Sequence, residues 1–157
     1  MSTIYLSQEG YDNLKTELQN LKSVDRARVI NQISEARDKG DLSENAEYDA
    51  AKEAQGLLEA RISKLENDVA NARVLDHQDM DTSSVHLLTK VTIKNMASGM
   101  EMTYAIVSEA EADLAAKKIS VTSPIGKGLL GKAVGDIADI EVPNGIIHFE
   151  IIKITTL

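Results

Sequence analysis

The chain of 157 residues contains no cysteine, no tryptophan and only one phenylalanine. The absence of cysteine excludes disulfide bonds and thiolate metal sites, and it fits a reducing compartment. With four tyrosines and one phenylalanine, the chain offers no aromatic platform on which the bases of a nucleic acid could stack.

Long apolar runs are absent as well. No run approaches the roughly 20 residues of a membrane helix, and the N-terminus lacks the basic, apolar and small-residue regions of a secretion signal. The formal net charge is −8, with the acids spread along the chain, which argues against free nucleic acid as the main partner. We therefore expect a soluble, cytoplasmic protein without a membrane partner or a small-molecule substrate.

Residues 1–76 have helical apolar spacing, with steps of three and four between apolar positions. Such steps place the apolar side chains on one narrow stripe, as in a coiled-coil seam. The first arm carries Tyr11, Leu14, Leu18, Leu21, Ile30, Ile33 and Ala36, and the second carries Ala51, Ala54, Leu58, Ile62, Leu65, Val69 and Ala72. We predict an antiparallel coiled-coil hairpin with arms of about 30 residues, on the order of 45 Å long. Ser7 is the predicted N-cap of the first arm, and Gly40 its left-handed terminating residue.

Residues 77–157 have a different period, with alternating or β-branched segments typical of strands. These segments are Lys90–Lys94, Met100–Val107, Ile137–Val142 and Ile146–Ile154, the last two joined by a predicted hairpin turn at Pro143-Asn144-Gly145. A short helix is predicted within Ser108–Lys118, and Ser123–Lys132 is predicted to be a loop with one helical turn. The second half is therefore a globular α+β domain on an antiparallel or mixed sheet.

The bend between the two arms is crowded with acids, namely Asp38, Asp41, Glu44, Glu47 and Asp49. Asp41 and Glu44 have two interpretations. Their spacing resembles a capping box at a helix N-terminus, where acids also complement the helix dipole. Alternatively, the two carboxylates supply oxygen ligands for Mg²⁺, which is often bound by one or two carboxylates plus phosphate oxygens. Two ligands alone hold such an ion weakly, so a partner would supply the others.

The chain contains two ordered motifs, one in each half. The first is Glu35-Ala36-Arg37 followed by Gly40-Asp41-Leu42-Ser43-Glu44-Asn45-Ala46-Glu47-Tyr48 and Ala50-Ala51-Lys52-Glu53. The second is Ser123-Pro124-Ile125 with Gly128-Leu129-Leu130-Gly131-Lys132. With these motifs the whole chain resembles the bacterial transcript-cleavage factors of the GreA/GreB family, and among these the GreA type. It implies an antiparallel coiled coil followed by a globular domain that is similar to FK506-binding proteins.

The resemblance also implies a function. Such factors bind bacterial RNA polymerase through the globular domain and insert the coiled coil into its secondary channel. There they stimulate the polymerase's own hydrolysis of the 3′ end of backtracked RNA. On this basis Asp41 and Glu44 are the predicted catalytic residues, which hold a Mg²⁺ ion shared with the polymerase and not bound tightly by the free chain. The factor is then a catalytic accessory and not an enzyme.

A basic patch beside the bend contacts the extruded RNA in this family, and the resemblance assigns that role to Arg37 and Lys52. Lys39 flanks the bend too. The alternative interpretation is an ordinary solvated face, or partners for Asp38 and Glu53. No metal role is predicted for the three histidines His77, His86 and His148.

Two other functions stay open at this point. One is a homologue that binds the polymerase and inhibits it by occupying the channel. The other is an interaction or chaperone module whose coiled coil binds partners or self-associates.

Overall fold

The computed structural model describes residues 3–40, 45–76 and 81–157. The chain divides into two units, Tyr11–Asn71 and Met1–Gly10 with Ala72–Leu157. The predicted hairpin covered residues 1–76, whereas the observed unit begins at Tyr11 and ends at Asn71. The reason is a two-stranded parallel sheet, in which β1 (Ile4–Leu6) pairs with β2 (Ala72–Val74). Neither short strand was predicted.

The Tyr11–Asn71 unit is the predicted antiparallel pair of helical arms. The first arm is helical from Gln8 to Asp38, in the segments α1 (Gln8–Asn20), a π-helical turn (Leu21–Asp25) and α2 (Arg26–Asp38). The second arm is α3 (Ala46–Ala70). The seam between the two arms contains the buried residues Leu14, Val29, Ala36, Ala51, Ile62 and Leu65. Among the described residues, no helix is both long and apolar enough to cross a membrane.

The π-helical turn changes which residues reach the seam. The Arg26 N–H donates to the Leu21 carbonyl five residues earlier, so this turn holds one residue more than an α-helical turn. A strict seven-residue repeat from Leu14 and Leu21 would bring Arg28 to the seam, whereas the extra residue brings Val29 instead. Val29 is 6% exposed and Ile30 is 52% exposed. The prediction that Ile30 lies in the seam is therefore wrong.

The start of the first arm is held by a buried carboxylate. Ser7 is the N-cap as predicted, since its Oγ accepts from the Gly10 N–H at 3.0 Å. Glu111 is 8% exposed, and its carboxylate accepts from the Ser7 N–H at 3.2 Å and from the Ser7 hydroxyl. Lys118 Nζ lies 3.8 Å from the same carboxylate. A carboxylate at this position complements the positive end of the helix dipole.

The larger sheet of the second unit is mixed, which confirms the α+β prediction. Its order is β5-β4-β3-β7-β6, with β4 and β5 parallel and the other pairs antiparallel. The strands are β3 (Thr89–Asn95), β4 (Glu101–Val107), β5 (Lys118–Ser120), β6 (Ile137–Val142) and β7 (Gly145–Thr156). The predicted hairpin turn at Pro143-Asn144-Gly145 is confirmed by the β6–β7 pairing. The main core lies on one face of this sheet and includes Val91, Ile93, Ile106, Leu129, Ile140, Phe149 and Ile151.

The short helix predicted within Ser108–Lys118 is present only as its first part. Only Glu109–Glu111 is helical there, as a single 3₁₀ turn. Asp113 and Lys118 exchange two main-chain hydrogen bonds of 2.9 Å, and this pairing leads directly into β5. Tertiary pairing with the sheet has overridden the local helical preference.

The segment Ser123–Lys132 contains the predicted single helical turn, α4 (Pro124–Leu129). Ser123 caps it, its Oγ accepting from the Gly126 N–H at 3.0 Å. A Cβ on Gly126 would lie 2.2 Å from the Ser120 carbonyl oxygen. The glycine is therefore required by the close approach of two backbone segments.

We predict that Gly126→Ala lowers the free energy of unfolding by about 1–3 kcal/mol, because the methyl group overlaps a backbone oxygen. The matched control is Gly56→Ala in α3, where an added Cβ would have no neighbour within 4 Å. This control raises stability by about 0.5–1 kcal/mol, since alanine is the better helix former. Urea unfolding followed by circular dichroism measures both. Equal effects of the two substitutions would contradict the close approach at Gly126.

Candidate functional site

The candidate site is the bend of the hairpin, between the end of α2 at Asp38 and the start of α3 at Ala46. Asp41 and Glu44, the predicted catalytic pair, lie outside the described residues. The structure does describe the residues on both sides of them. These flanking residues determine how the two arms are joined.

Asn45 connects the arms with its side-chain amide. Its Oδ1 accepts from the Tyr48 N–H at 3.1 Å and so caps the N-terminus of α3. Its Nδ2 donates to the Ala36 carbonyl at 2.5 Å, in the last turn of α2. Helix ends leave amides and carbonyls without intrahelical partners, and this one side chain satisfies a group at each end. Asn45 therefore supports the bend structurally.

The observed cap bears on the structural interpretation of the acids. The N-cap of α3 is Asn45, four residues after Asp41, so a capping box beginning at Asp41 does not match the helix that follows. The acids in the first turn of α3 are Glu47 and Asp49, and these complement its dipole. Gly40 does not have the predicted left-handed conformation. Instead, the Lys39 N–H bonds to the Ala36 carbonyl at 3.2 Å at the end of α2.

Arg37 and Lys52 lie on opposite arms but line one groove, which we call the basic groove. Its volume is about 240 Å³, and its lining residues are Ile30, Ile33, Ser34, Arg37, Lys52 and Gln55. Lys52 Nζ donates to Gln55 Oε1, a neutral partner, at 3.0 Å. Among the described residues, neither Arg37 nor Lys52 forms an ion pair. The structure thus brings together the two residues to which the resemblance assigns RNA contacts.

Lys39 lies in a different environment. Its Nζ is 3.2 Å from Glu47 Oε2, and both residues line a second groove together with Glu35. The alternative interpretation of the cations as partners of acids therefore holds for Lys39, although its partner is Glu47 and not Asp38. The structure separates Lys39 from the basic groove.

Further from the bend, charges of opposite sign pair between the arms. Arg26 donates two hydrogen bonds of 2.9 Å to Glu59. The bond from Arg26 holds the pKa of the Glu59 carboxyl below its usual value. Lys22 lies 3.6 Å from Glu66, and Arg61 lies 2.8 Å from Glu17. Exposed pairs such as these contribute little stability, but they balance the charges of the two arms along the shaft.

The described histidines have ordinary partners. His148 Nδ1 lies 2.5 Å from Asp139 Oδ1 across the β6–β7 pair, and His86 contacts the carbonyls of Asp81 and Leu87. His77 lies outside the described residues. Within residues 3–40, 45–76 and 81–157, no group of three or more potential ligands could hold a metal ion.

Sequence reasoning missed the bridge made by Asn45 and the exposure of Ile30 in the basic groove. The first had a signal, because asparagine is a preferred N-cap and Tyr48 follows at the right spacing. The exposure of Ile30 had no signal in the spacing of the apolar residues, because it depends on the extra residue in the π-helical turn.

Two family models match the chain. The model described as "Transcription elongation factor, N-terminal" matches residues 4–74, and "Transcription elongation factor, GreA/GreB, C-term" matches residues 80–156. Similar curated proteins include "Transcription elongation factor GreA" of Flavobacterium johnsoniae, which is 62% identical over 96% of both chains. The protein of the same name from Flavobacterium psychrophilum is 60% identical over 99% of both chains. A solved structure, GreA factor homolog 1 (Gfh1) of Thermus thermophilus, is 28% identical over 97% of this chain and 98% of that one, with a TM-score of 0.46.

We predict that Asn45→Ala lowers the free energy of unfolding of the hairpin by about 1–2 kcal/mol, because it removes a cap and a second hydrogen bond. Asn45→Asp separates the two contributions. An aspartate accepts from the Tyr48 N–H as asparagine does, but it cannot donate to the Ala36 carbonyl. Thermal unfolding followed by circular dichroism should place Asn45→Asp between the wild type and Asn45→Ala. A stability of Asn45→Asp equal to the wild type would show that the bridge to Ala36 contributes nothing.

Proposed function

The chain belongs to the GreA/GreB family of transcription elongation factors, and we propose that it stimulates bacterial RNA polymerase to hydrolyse backtracked RNA. In this proposal the helical hairpin enters the secondary channel of the polymerase, and the globular unit binds the outside of the enzyme. The observation that carries the proposal is the bend of the hairpin. There, Asn45, which follows Asp41 and Glu44 in the sequence, joins the arms, and the basic groove lies on the adjacent turns of both helices.

The length of the arms suits this task. α3 contains 25 residues, which corresponds to about 37 Å of helix. The bend therefore lies about that far from the other end of α3. The paired charges along the shaft present little net charge to a surrounding protein wall.

Asp41 and Glu44 are the carboxylates that would reach the polymerase active site. Their oxygens are the donors that Mg²⁺ prefers, and two of them leave room for ligands from the polymerase and from RNA phosphate. Such an ion, when bound, favours hydroxide formation from water and stabilises charge on the phosphate and the leaving oxygen. The residues of this chain supply ligands and orient the attacking water, while the reaction takes place in the polymerase. The protein is on this proposal an accessory and not itself an enzyme.

Arg37 and Lys52 act on the RNA in this proposal. A guanidinium and an ammonium without acidic partners attract phosphate groups, and a single-stranded 3′ segment displaced from the active site presents such groups. Holding that segment keeps the scissile phosphate near the bend. This is a positioning effect, which lowers the entropic part of the barrier.

We predict that Asp41→Asn combined with Glu44→Gln abolishes RNA shortening in a backtracked elongation complex while binding to polymerase is retained. Both substitutions preserve side-chain volume and remove only the negative charges. The measurement is RNA length with time in Mg²⁺ buffer, together with polymerase affinity. The control is Asp49→Asn, which removes an acid from the first turn of α3 and should leave cleavage unchanged.

Other results would point to other functions. Inhibition of transcription by the wild type without RNA shortening would indicate a factor that occupies the channel. No effect on transcription and no binding to polymerase would indicate an unrelated interaction module. A tight Mg²⁺ site measured by calorimetry on the isolated chain would contradict an ion shared with the polymerase.

We predict that Arg37→Gln combined with Lys52→Gln slows cleavage by roughly tenfold, because exposed contacts between opposite charges contribute about 0.2–1 kcal/mol each. The dependence of cleavage on salt concentration should also become weaker, since fewer counterions are released from the RNA. The matched control is Lys39→Gln, whose charge is already paired with Glu47. A loss as large with Lys39→Gln as with the double variant would show that position in the basic groove is irrelevant.

A further inference from the structure

The floor of the basic groove is apolar, and packing within the hairpin does not require it. Val29 takes the seam position of this turn, and Ile30 is left 52% exposed. A single exposed apolar residue needs no explanation. Ile30, however, lines the groove together with the half-buried Ile33, directly beside two cations that have no acidic partner among the described residues.

The lining of the groove combines three kinds of group. Ile30 and Ile33 form an aliphatic surface, Ser34 and Gln55 contribute a hydroxyl and an amide, and Arg37 and Lys52 supply positive charge. One ligand class matches this set, namely a nucleotide segment with an apolar base face, polar base edges and sugar hydroxyls, and an anionic phosphate. The volume of about 240 Å³ is smaller than the roughly 300–1,000 Å³ of sites that enclose a drug-sized ligand. The groove thus suits one unit of an open chain.

We propose that a base of the extruded RNA packs on Ile30 and Ile33 while neighbouring phosphates pair with Arg37 and Lys52. This proposal rests on the proposed function and adds a base contact to it. Ile30 and Arg37 are separated by seven residues of helix, or about 10 Å along its axis, so the base and phosphate contacts involve different parts of a short single strand.

An aliphatic floor has a consequence for specificity. It offers no hydrogen-bond pattern, so it accepts any base, in the same way that stacking surfaces bind single strands without sequence preference. The chain lacks aromatic residues at this place, and the contact is accordingly weaker than stacking. A factor that acts on transcripts of every sequence needs a contact that does not distinguish between the bases.

The charge pattern favours RNA over a polymerase side chain as the occupant. Lys39, the third cation beside the bend, is paired with Glu47, whereas Arg37 and Lys52 form no ion pair among the described residues. These two cations therefore remain available to anionic groups, and the complement of the groove is an anionic chain with an apolar component.

Ile30→Asn tests the base contact, with Leu57→Asn as its matched control. Leu57 is 69% exposed on α3 and does not line the groove. We expect Ile30→Asn to lower the cleavage rate at saturating factor by roughly three- to tenfold, the effect of losing part of one isoleucine's buried area. Leu57→Asn should cleave at the wild-type rate. Polymerase affinity and thermal unfolding should match between the two variants.

Site-directed crosslinking tests the contact directly, because the chain has no cysteine of its own. Ile30→Cys and Leu57→Cys each provide a single thiol. In a backtracked complex whose RNA carries a thiol-reactive group on its 3′-terminal nucleotides, Ile30→Cys should form an adduct between RNA and factor, and Leu57→Cys should not. Crosslinking of Ile30→Cys to a polymerase subunit in place of RNA would overturn the proposal in favour of a protein contact.

The two proposals fail in different ways. If the wild type shortens RNA but Ile30→Asn cleaves normally and Ile30→Cys gives no RNA adduct, the base contact is wrong and the proposed function stands. If the wild type does not shorten RNA, the proposed function is wrong whatever the adducts show. An RNA adduct of Ile30→Cys in that case would still support the base contact.

Discussion

The two hydrogen bonds of the Asn45 side chain are the contact on which the candidate site depends. The last turn of a helix leaves carbonyl groups without intrahelical partners, and the first turn of a helix leaves N–H groups without them. Asn45 serves one group of each kind, because its side-chain amide carries both a donor and an acceptor. An ionised aspartate, which has no donor, would cap α3 alone. The distance between the arms at the bend is thereby fixed by a single residue, directly after the segment that carries the two predicted catalytic carboxylates.

The π-helical turn is the second constraint, and it acts at a distance. Its extra residue rotates everything that follows on the first arm, so that Val29 packs in the seam and Ile30 faces the basic groove. The same rotation determines which residues of α2 meet α3 near the bend. Arg37 and Lys52 share a groove, and Lys39 is directed to Glu47, because of a turn more than ten residues earlier. The extra residue in the π-helical turn thus influences which side chains of the two arms meet near the bend.

Much of this architecture could be predicted from the sequence, and the exceptions have physical causes. The arms, the four long strands and the N-cap at Ser7 follow from period and turn chemistry, which are local properties. The pairing of β1 with β2 could not be predicted, since three-residue strands carry no period and meet only through tertiary contact. The same applies to Glu111, whose link to Ser7 spans 104 positions of the chain. Ile30 was misassigned because its spacing to Ile33 and Ala36 fits an apolar stripe, and only the π-helical turn at Leu21–Asp25 places Val29 in the seam instead.

The net charge of −8 argued against nucleic acid as the main partner, and the proposed contact with RNA is confined to one place on the hairpin. Attraction within a Debye length, about 8 Å at physiological ionic strength, depends on local charge and not on the total. Along the shaft the acids Glu17, Glu59 and Glu66 are each paired with a cation of the opposite arm. The bend itself is rich in acids, but Arg37 and Lys52 in the basic groove form no ion pair among the described residues. On the proposed function, an RNA chain confined in a channel reaches these two cations only when the polymerase presents it. The acidic surroundings then disfavour binding to free nucleic acid without preventing that contact.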